Sequence, residues 1–343
     1  MNASIRCVRW KEVTPPSRIV VIRFHALGDM VITLPFLEAI KRNCPETNLH
    51  LLTRRDVSAI PESLPFIDKV YKIGGSRSAF VHLLNALWTL RQLIWHRYDA
   101  VIDLQNNWIS RLARRLLRPR AWCEFDKFSP MPASERTRQT IEALWDWNIK
   151  PTYRFVDGDH RSAIDNKILL ENGWRNDHDL VVLNPAGYCS SREWPLTHYV
   201  AFARKWQSHI NSMTQFLLLL MPSHLQKARY IKNELGDDCV DLTGKAGQAD
   251  AFRILAHCRL VLSEDSGLMH MAWTQGVPTL ALFSSSRKDW SAPQGDWSLC
   301  LDSSDLPCGP CQREVCKFGD NRCLTRYSPE FVLEKAKALV SGK

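Results

Sequence analysis

The sequence lacks three features that would each assign the chain to a distinct class of protein. No apolar run approaches the roughly 18–20 residues of a transmembrane helix. The longest, residues 216–221, is only as long as a strand. Residues 1–17 contain charged side chains and no apolar core, so we expect no secretory signal. No recognised nucleic-acid-binding motif accompanies the basic residues, which disfavours nucleic acid as a partner. These absences predict a cytoplasmic protein.

The composition that is present is that of a large and basic globular chain. With 343 residues, it is too long for one ordinary core and suits two domains of about 150 residues each. Its 45 Lys and Arg residues exceed its 36 Asp and Glu residues, which gives a formal net charge of +9. This excess favours acidic partners, such as a phosphorylated substrate or anionic lipid headgroups.

The densest positive cluster lies at residues 111–120. It contains five arginines, the first four at helical spacing along one side: Arg111, Arg114, Arg115, Arg118 and Arg120. Two interpretations remain open: a solvated helix face, or a contact surface for acceptor phosphates or lipid headgroups. A second helical pattern, at residues 80–95, places Trp88 and Trp95 seven residues apart on one side. We expect both tryptophans in the core, and the alternative is a ridge that dips into a membrane.

Short β-rich runs alternate with longer helical patterns along the chain. In the first half, strands are predicted at residues 19–24, 49–53, 69–73 and 100–104. In the second half, they are predicted at residues 180–183, 216–221, 240–242, 260–262 and 278–283. This alternation predicts parallel sheets covered by helices on both faces, which bind ligands at the carboxyl ends of their strands.

Prolines and a polar segment mark a junction between the two halves. We predict a first domain at residues 1–155, a linker at 156–178, a second domain at 179–328 and a final helix at 329–343. The fold class predicted from this organisation is therefore α/β, with two parallel-sheet domains.

Three loops that follow predicted strands carry residues able to do chemistry. Asp29 comes directly after Gly28 at a helix start, where it is either a general base or a charge that the helix dipole favours. Gly187 allows close approach of the backbone to a ligand, and Arg192 can neutralise a phosphate through its planar guanidinium. Lys245 follows another strand and is either a ligand contact or a surface charge.

A fourth loop, residues 263–270, lies between two apolar strand-like runs. Its Ser266-Gly267 step predicts a helix start whose amides point outward and favour an anion such as a diphosphate. The alternative is that Asp265 or Ser266 only caps the helix and that Gly267 eases the turn. Both interpretations are consistent with this loop taken alone.

The order of these motifs carries a family resemblance. The motifs are Leu27-Gly28-Asp29, Thr33-Leu34-Pro35, the Pro-x-Gly and Trp-Pro elements of residues 185–195, Leu242-Thr243-Gly244-Lys245, Asp265-Ser266-Gly267-x-x-His270-x-Ala272, Gly276-x-Pro278 and Phe283. Together they resemble glycosyltransferase family 9, the ADP-heptose–lipopolysaccharide heptosyltransferases, over residues 18–324. The resemblance implies a GT-B fold, in which two Rossmann-like domains face each other across a cleft and no metal is required for catalysis.

The resemblance also implies roles for residues in this chain. Asp29 would take the proton from the acceptor hydroxyl, and the oxygen would then attack and invert the anomeric carbon of the donor. Arg192, where relatives often carry lysine, would neutralise the leaving phosphate. The remaining donor contacts would be Gly187, Lys245, Asp265, Ser266, Gly267, Leu268 and His270. The acceptor contacts would be His25, Arg111, Arg114 and Arg115, although His25 can also be only a tolerated loop residue.

Eleven cysteines are many for a cytosolic chain. Four of them are clustered: Cys308, Cys311, Cys316 and Cys323. Four thiolates can hold a structural zinc or iron ion, but the spacing is irregular beside paired Cys-x-x-Cys knuckles. A structural metal site and four free thiols therefore remain alternatives.

Three functions are carried forward from the sequence. The leading one is transfer of heptose from ADP-heptose to a phosphorylated lipopolysaccharide core, in the cytoplasm at the inner membrane face. The second keeps the fold but uses another nucleotide sugar or acceptor. The third is a non-catalytic binding protein that uses the basic face and the cysteine segment.

Overall fold

The computed structural model describes residues 5–24, 26–74, 79–146, 149–153 and 164–342. The chain divides into two compact units, Met1–Phe155 and Val156–Lys343, and each contains one six-stranded sheet. His25, an expected acceptor contact, lies outside the described residues, as do residues 156–163 of the expected linker. The rest of that segment includes a helix of the second unit, Ile164–Glu171.

The first unit alternates strands and helices along the chain. Its strands are β1 Cys7–Val8, β2 Arg18–Ile22, β3 Asn48–Arg54, β4 Lys69–Ile73, β5 Ala100–Asp103 and β6 Ala121–Glu124. Its helices, within the described residues, are α1 Leu27–Asn43, α2 Ala59–Glu62, α3 Ala79–Trp95, α4 Trp108–Leu117 and α5 Ala133–Leu144. A 3₁₀ turn, Arg55–Val57, precedes α2.

The first sheet has the strand order β1-β6-β5-β2-β3-β4. All neighbours are parallel except the edge strand β1, which is antiparallel to β6. The central strand β2 is buried after its first residue, because helices cover both faces of a parallel sheet. Ile22 pairs with Asp103, so the loops that follow β2 and β5 leave the sheet side by side.

The second unit repeats this pattern. Its helices, as far as the structure describes them, are α6 Ile164–Glu171, α7 Leu196–His209, α8 Leu225–Leu235, α9 Gln248–Leu255, α10 Gly267–Trp273, α11 Lys288–Ser291, α12 Arg322–Thr325 and α13 Pro329–Ser341. Its strands are β7 Asp179–Asn184, β8 Thr214–Leu218, β9 Cys239–Asp241, β10 Leu260–Glu264, β11 Thr279–Leu282 and β12 Ser298–Leu301. Short 3₁₀ turns are Ser190–Arg192, Pro222–His224 and Gly236–Asp238.

The second sheet is parallel throughout, in the order β12-β11-β10-β7-β8-β9. Ser263 of β10 pairs with Asn184 of β7, so the loops after these central strands are neighbours. The core on one face is dominated by aromatic side chains of α7 and includes Phe202 and Trp206, both fully buried. Trp206 also donates from Nε1 to Thr214 Oγ1 at 3.2 Å, which satisfies its only polar atom.

The strands predicted from the sequence are all present, but β1, β6 and β12 were not predicted. β1 has two residues, and β6 and β12 have four each, too short for a clear alternation or apolar run. β1 and β12 each also lie at one edge of a sheet, and the residues of β12 are only partly buried apart from Leu301. Strands of this kind depend on the neighbour with which they pair more than on their own composition.

The prediction that Trp88 and Trp95 lie in the core is wrong. Both are on α3, and their side chains are 61% and 76% exposed. Thr89 and Leu93, on another side of the same helix, are buried instead. Among the helices that the structure describes, none combines the length and the apolar character needed to span a membrane.

The packing of α7 yields a first prediction. Phe202→Ala should lower the free energy of unfolding by about 3–5 kcal/mol, because the truncation leaves a cavity in a fully buried cluster. The matched control is Phe128→Ala, since Phe128 is 91% exposed and its removal opens no cavity. Urea denaturation followed by circular dichroism measures both variants. Equal effects at the two positions would contradict the assignment of α7 to the core.

Candidate active site

Asp29 lies in the first turn of α1, directly after the loop that follows β2. One carboxylate oxygen, Oδ2, accepts a hydrogen bond from the main-chain N–H of Ala26 at 3.3 Å. The other, Oδ1, lies 3.0 Å from a terminal nitrogen of Arg23. The Asp29 side chain is 41% exposed, whereas that of Arg23 is 6% exposed. The buried guanidinium of Arg23 therefore orients the Asp29 carboxylate, and part of that carboxylate stays accessible.

Arg23 is fixed by contacts from neighbouring loops of the first unit. Its guanidinium donates to the carbonyl oxygen of Leu104, which follows β5. It also lies 4.9 Å from the ring centroid of Phe125, and Arg136 of α5 contacts the same ring at the same distance. Burial lowers the pKa of the Arg136 guanidinium, and the charge of Asp29 opposes this shift. The Asp29 carboxylate thus lies in a positive environment.

The loop after β5 is organised by a second carboxylate, Asp103, which is buried. Its Oδ1 accepts from the main-chain N–H groups of Gln105 and Asn106 at 3.1 and 2.7 Å, and its Oδ2 accepts from Ser110 Oγ at 2.8 Å. Burial raises the pKa of Asp103, and these hydrogen bonds oppose the rise. Gln105 in turn accepts from the N–H of Phe24 at 2.8 Å, which ties the two loops together.

The arginines of α4 separate into different environments. Arg111 is half-buried and donates from Nε and a terminal nitrogen to Asn106 Oδ1 at 2.9 and 2.7 Å, so it stays beside the loop after β5. Arg114 points inward, pairs with Glu124 at 2.5 Å and stacks 3.8 Å above the ring of Trp122. The Arg114 side chain is therefore buried in these contacts, and we do not carry it forward as an acceptor contact. Arg115 is exposed.

In the second unit, the loop after β7 is clamped by Glu264, the last residue of β10. Its two carboxylate oxygens accept from the main-chain N–H groups of Gly187 and Trp194 at 2.6 and 2.7 Å. A Cβ atom on Gly187 would lie 2.6 Å from the carbonyl oxygen of Arg192 and 2.8 Å from Glu264. Glycine at this position is therefore required by the close approach of the loop to Glu264.

Glu264 is completely buried. Burial raises its pKa from 4.5 to about 8, while the hydrogen bonds from Trp194 and Gly187 and the charge of Lys227 oppose the rise. Lys227 donates to the carbonyl oxygen of Pro185 at 3.0 Å and to Glu193 at 2.8 Å. The segment between Pro185 and Trp194 is thus held at several points, and Arg192 lies within it.

Arg192 and Asp265 form an ion pair at 2.9 Å, and both are partly buried. The Nε atom of Arg192 is buried and has no hydrogen-bond partner among the described residues. The pair therefore leaves one donor of the guanidinium unused. A buried donor without a partner is costly, so this atom is a candidate contact for an anionic ligand.

The start of α10 lies next to this pair. Ser266 is its N-cap, and the hydroxyl accepts from the N–H of Met269 at 3.3 Å. Asn184 donates from Nδ2 to Ser266 Oγ and Ser263 Oγ at 2.8 and 2.7 Å, which fixes the cap against the end of β7. Gly267 and Leu268 follow in the first turn of α10, whose amides have no acceptor within a helix.

Two other expected donor contacts lie in different environments. His270 is buried, and its Nδ1 accepts from Trp273 Nε1 at 3.0 Å. Lys245 is exposed and donates to Asn172 Oδ1 at 2.6 Å. Neither of these two contacts joins His270 or Lys245 to the other expected donor residues. Those other residues come together around the ends of β7 and β10: Gly187, Arg192, Asp265, Ser266, Gly267 and Leu268.

The prediction of a structural zinc or iron site at the clustered cysteines is not supported. Within the described residues, no three His, Cys, Asp or Glu side chains form a group that could hold a metal ion. All four cysteines instead line a cavity of about 450 Å³. Two of them face other partners: Cys316 Sγ lies 3.9 Å from Asp320 Oδ1, and Cys323 Sγ lies 3.6 Å from the carbonyl oxygen of Asn321.

Hydrogen bonds from the cysteine segment support the turn that precedes Arg192. The N–H of Ser191 donates to the carbonyl oxygen of Glu314 at 3.1 Å, and Asn321 Nδ2 donates to that of Ser190 at 2.7 Å. The Ser191 hydroxyl also donates to the carbonyl oxygen of Arg313 at 2.5 Å. The segment therefore braces the loop of Arg192 through these hydrogen bonds.

Sequence reasoning missed Arg23, Asp103 and Glu264 as site residues. Each is a charged residue at or just after the end of a buried strand. A charge in that position is expensive to bury without a partner. The signal that could have identified them is thus a charged residue inside an otherwise apolar run of strand length.

The fold and these loops define a two-domain α/β protein with candidate binding loops at the carboxyl ends of its strands. The profile of glycosyltransferase family 9 (heptosyltransferase) matches residues 123–321, more than half of the chain. The chain therefore belongs to glycosyltransferase family 9 and is a glycosyltransferase.

Individual proteins agree with this assignment. Lipopolysaccharide heptosyltransferase 1 of Pseudomonas aeruginosa is 24% identical over 94% of this chain and 98% of its own length. Lipopolysaccharide heptosyltransferase 3 of Escherichia coli K12 is 31% identical over 76% of this chain and 80% of its own length.

Solved structures agree on the fold. A family 9 glycosyltransferase from Veillonella parvula gives a TM-score of 0.80 at 18% identity and covers 95% of this chain and 98% of its own. The Escherichia coli ADP-heptose lipopolysaccharide heptosyltransferase II gives a TM-score of 0.73 at 18% identity and covers 95% of this chain and 99% of its own. The prediction of a GT-B fold with two Rossmann-like, parallel-sheet domains is confirmed.

The buried carboxyl group of Glu264 yields a prediction about stability and pH. The raised pKa means that the folded chain holds a proton there that the unfolded chain releases above about pH 4.5, so stability falls as the pH rises toward about 8. Glu264→Gln removes this dependence of stability on pH. It also leaves one of the two main-chain N–H groups facing the NH₂ group of the glutamine, which cannot accept a hydrogen bond. At pH 5 the variant should be about 1–3 kcal/mol less stable than the wild type, and the gap should narrow toward pH 8.

Urea denaturation at several pH values measures this gap. Glu234→Gln is the matched control, because Glu234 is a surface residue that pairs with Arg204. A gap between Glu264→Gln and wild type that stays constant from pH 5 to 8 would show that Glu264 is ionised in the folded state throughout.

Proposed function

We propose that this enzyme transfers heptose from ADP-heptose to a phosphorylated sugar of the lipopolysaccharide core and inverts the anomeric carbon. The reaction is supported by the two relatives named above, which are both lipopolysaccharide heptosyltransferases. The donor is supported by a similar structure, the Escherichia coli heptosyltransferase WaaC with ADP-2-deoxy-2-fluoro heptose, at a TM-score of 0.70. The acceptor is lipid-linked, which places the reaction at the cytoplasmic face of the inner membrane.

In this proposal Asp29 is the general base. Its Oδ atoms are oriented by Arg23 and by the N–H of Ala26, and the side chain remains partly accessible. The carboxylate takes the proton from the acceptor hydroxyl while that oxygen forms a bond to the anomeric carbon of the donor. Thr33, one turn later, donates to the Asp29 carbonyl oxygen at 2.9 Å and keeps this part of α1 in place.

The second unit supplies the donor site. As the new bond forms, the bond from the anomeric carbon to the diphosphate breaks, and the electron pair and negative charge pass to ADP. The observation that carries this part of the proposal is the unused buried Nε of Arg192 beside Asp265. Arg192 and the amides of Ser266, Gly267 and Leu268 stabilise the leaving charge, and Asp265 binds sugar hydroxyls. These cationic and main-chain groups do so without a catalytic metal.

Of the arginines expected to bind the acceptor, Arg111 remains in the proposal. Its guanidinium is held by Asn106 beside the loop after β5, at the carboxyl end of the first sheet. A half-buried guanidinium in this position suits an acceptor phosphate.

The donor is tested by thermal shift with a panel of nucleotide sugars. A ligand that binds only the folded state raises the melting temperature, so ADP-heptose and ADP should shift it, whereas UDP- and GDP-sugars should not. A turnover assay with ADP-heptose and lipopolysaccharide core acceptor completes the test, and EDTA should leave the rate unchanged. A shift with a UDP- or GDP-sugar alone would assign another donor. No shift with any sugar would favour a non-catalytic binding protein.

The base is tested by Asp29→Asn, which keeps the shape of the side chain and removes its basicity. We expect turnover to fall by about 10²- to 10⁴-fold, as is usual for loss of general-base catalysis, while the affinity for ADP stays unchanged. Steady-state kinetics and isothermal titration calorimetry measure the two quantities. Asp56→Asn is the control, since Asp56 is an exposed carboxylate of the same unit. Near-normal turnover of Asp29→Asn would remove Asp29 from this role.

A further inference from the structure

Helix α3 carries an exposed row of apolar side chains along one side. The described members of this row lie at offsets of one, four, seven and eight residues from the first: Leu87, Trp88, Arg91, Ile94 and Trp95. At 3.6 residues per turn, these offsets place all five on one side of the helix. Four of the five are large and apolar, which is unusual for a solvent-exposed helix face.

Helix α4 repeats the same arrangement. Its exposed residues have the same offsets from the first: Trp108, Ile109, Leu112, Arg115 and Leu116. Again four are apolar, one is arginine, and the tryptophan is 73% exposed. Two successive helices thus present four large apolar side chains and one arginine each to the outside.

The two rows lie on the same side of the first unit. The connections from β4 to β5 and from β5 to β6 run in the same direction across the sheet, so right-handed crossovers place α3 and α4 on one face. The inward residues Leu93, Ala113 and Leu117 belong to one core cluster, which confirms this placement. The outward rows of both helices therefore point away from the same face of the sheet.

The charge on this surface has one sign. Neither α3 nor α4 contains an aspartate or a glutamate. Arg91 and Arg115 lie within the two rows, and Arg118 follows the end of α4; all three are exposed. Within the part of the chain that the structure describes, none of these three arginines forms an ion pair, whereas Arg114 on the inner side of α4 does.

We propose that this surface, formed by the two rows and Arg118 and called the Trp–Arg face below, docks onto an anionic lipid bilayer. Tryptophan side chains are suited to the level of the lipid headgroups, because the apolar part of the ring packs against acyl chains while its N–H group stays hydrated. Arginines near the surface of an anionic membrane add electrostatic attraction, while leucine and isoleucine side chains bury among the acyl chains. In this arrangement α3 and α4 lie along the membrane–water interface and do not cross the bilayer.

Charge complementarity favours a membrane over a second copy of this chain. A symmetric contact between two Trp–Arg faces would bring arginines against arginines with no carboxylate to pair them, and like charges across an interface are unfavourable. An anionic bilayer supplies the missing negative charge along the whole face. This inference stands independently of the proposed reaction, because it uses no residue of the donor or base sites.

The test is co-sedimentation of the purified protein with vesicles. Wild-type protein should sediment with vesicles of phosphatidylethanolamine and phosphatidylglycerol, and much less with pure phosphatidylcholine. Binding should weaken at high salt, because screening removes the headgroup attraction. The combined variant Trp88→Ser, Trp95→Ser and Trp108→Ser should reduce the partition coefficient by about tenfold or more. The variant Arg91→Gln, Arg115→Gln and Arg118→Gln should remove the preference for anionic lipid.

The matched control removes three exposed apolar side chains elsewhere: Val13→Ser, Met213→Ser and Tyr230→Ser. It should sediment like the wild type, and all variants should keep the wild-type melting temperature. Light scattering in solution distinguishes a second copy as the occupant. A dimer that the tryptophan variant converts to a monomer, with vesicle binding unchanged, would overturn the proposal. Equal vesicle binding by the tryptophan variant and the control would also overturn the proposal. This outcome does not depend on which sugar the enzyme transfers.

Discussion

The second unit depends on one interaction, the buried carboxyl group of Glu264 that joins the ends of two adjacent strands. Its oxygens accept from the N–H groups of Gly187 and Trp194, so the chain between them has both ends fixed to β10. Arg192 lies inside this closed segment and Asp265 directly follows Glu264. The same carboxyl group therefore sets the distance between the two charged residues of the candidate donor site.

The first unit uses a related arrangement that is built on a cation. Arg23 is buried just after the central strand β2, where it orients the Asp29 carboxylate and contacts the loop after β5. In both sheets an ionisable side chain at the carboxyl end of a central strand is buried, and its partners come from neighbouring loops. Such a group fixes loop geometry, since moving either loop would leave a buried polar group without its hydrogen-bond partners.

Much of the fold could be predicted because local pattern and global structure agree. Continuous apolar runs such as β2 and β10 are typical of strands covered on both faces, and the turn residues Gly28 and Gly267 mark helix starts that the structure contains. The loops that carry Asp29 and Asp265 were located for the same reason. Their roles in catalysis remain proposals.

The errors have a common physical cause. Helical spacing shows that residues share a side of a helix, but it does not show which side meets the sheet. Arg114 therefore points inward to Glu124, while Trp88 and Trp95 point outward. The spacing of the cysteines likewise gave no information on where their sulfur atoms point, and they line a cavity instead of meeting at one centre.

The sequence by itself determined the α/β class, the order of the elements, the motifs of the family and the excess of positive charge, because these depend on residues near one another along the chain. Only the tertiary structure decided which charges are paired and which are free. Glu264 and Gly187 are 77 residues apart, and Asp265 and Arg192 are 73 apart. Contacts at such separations arise from the pairing of strands in the sheet, so no local pattern could reveal them.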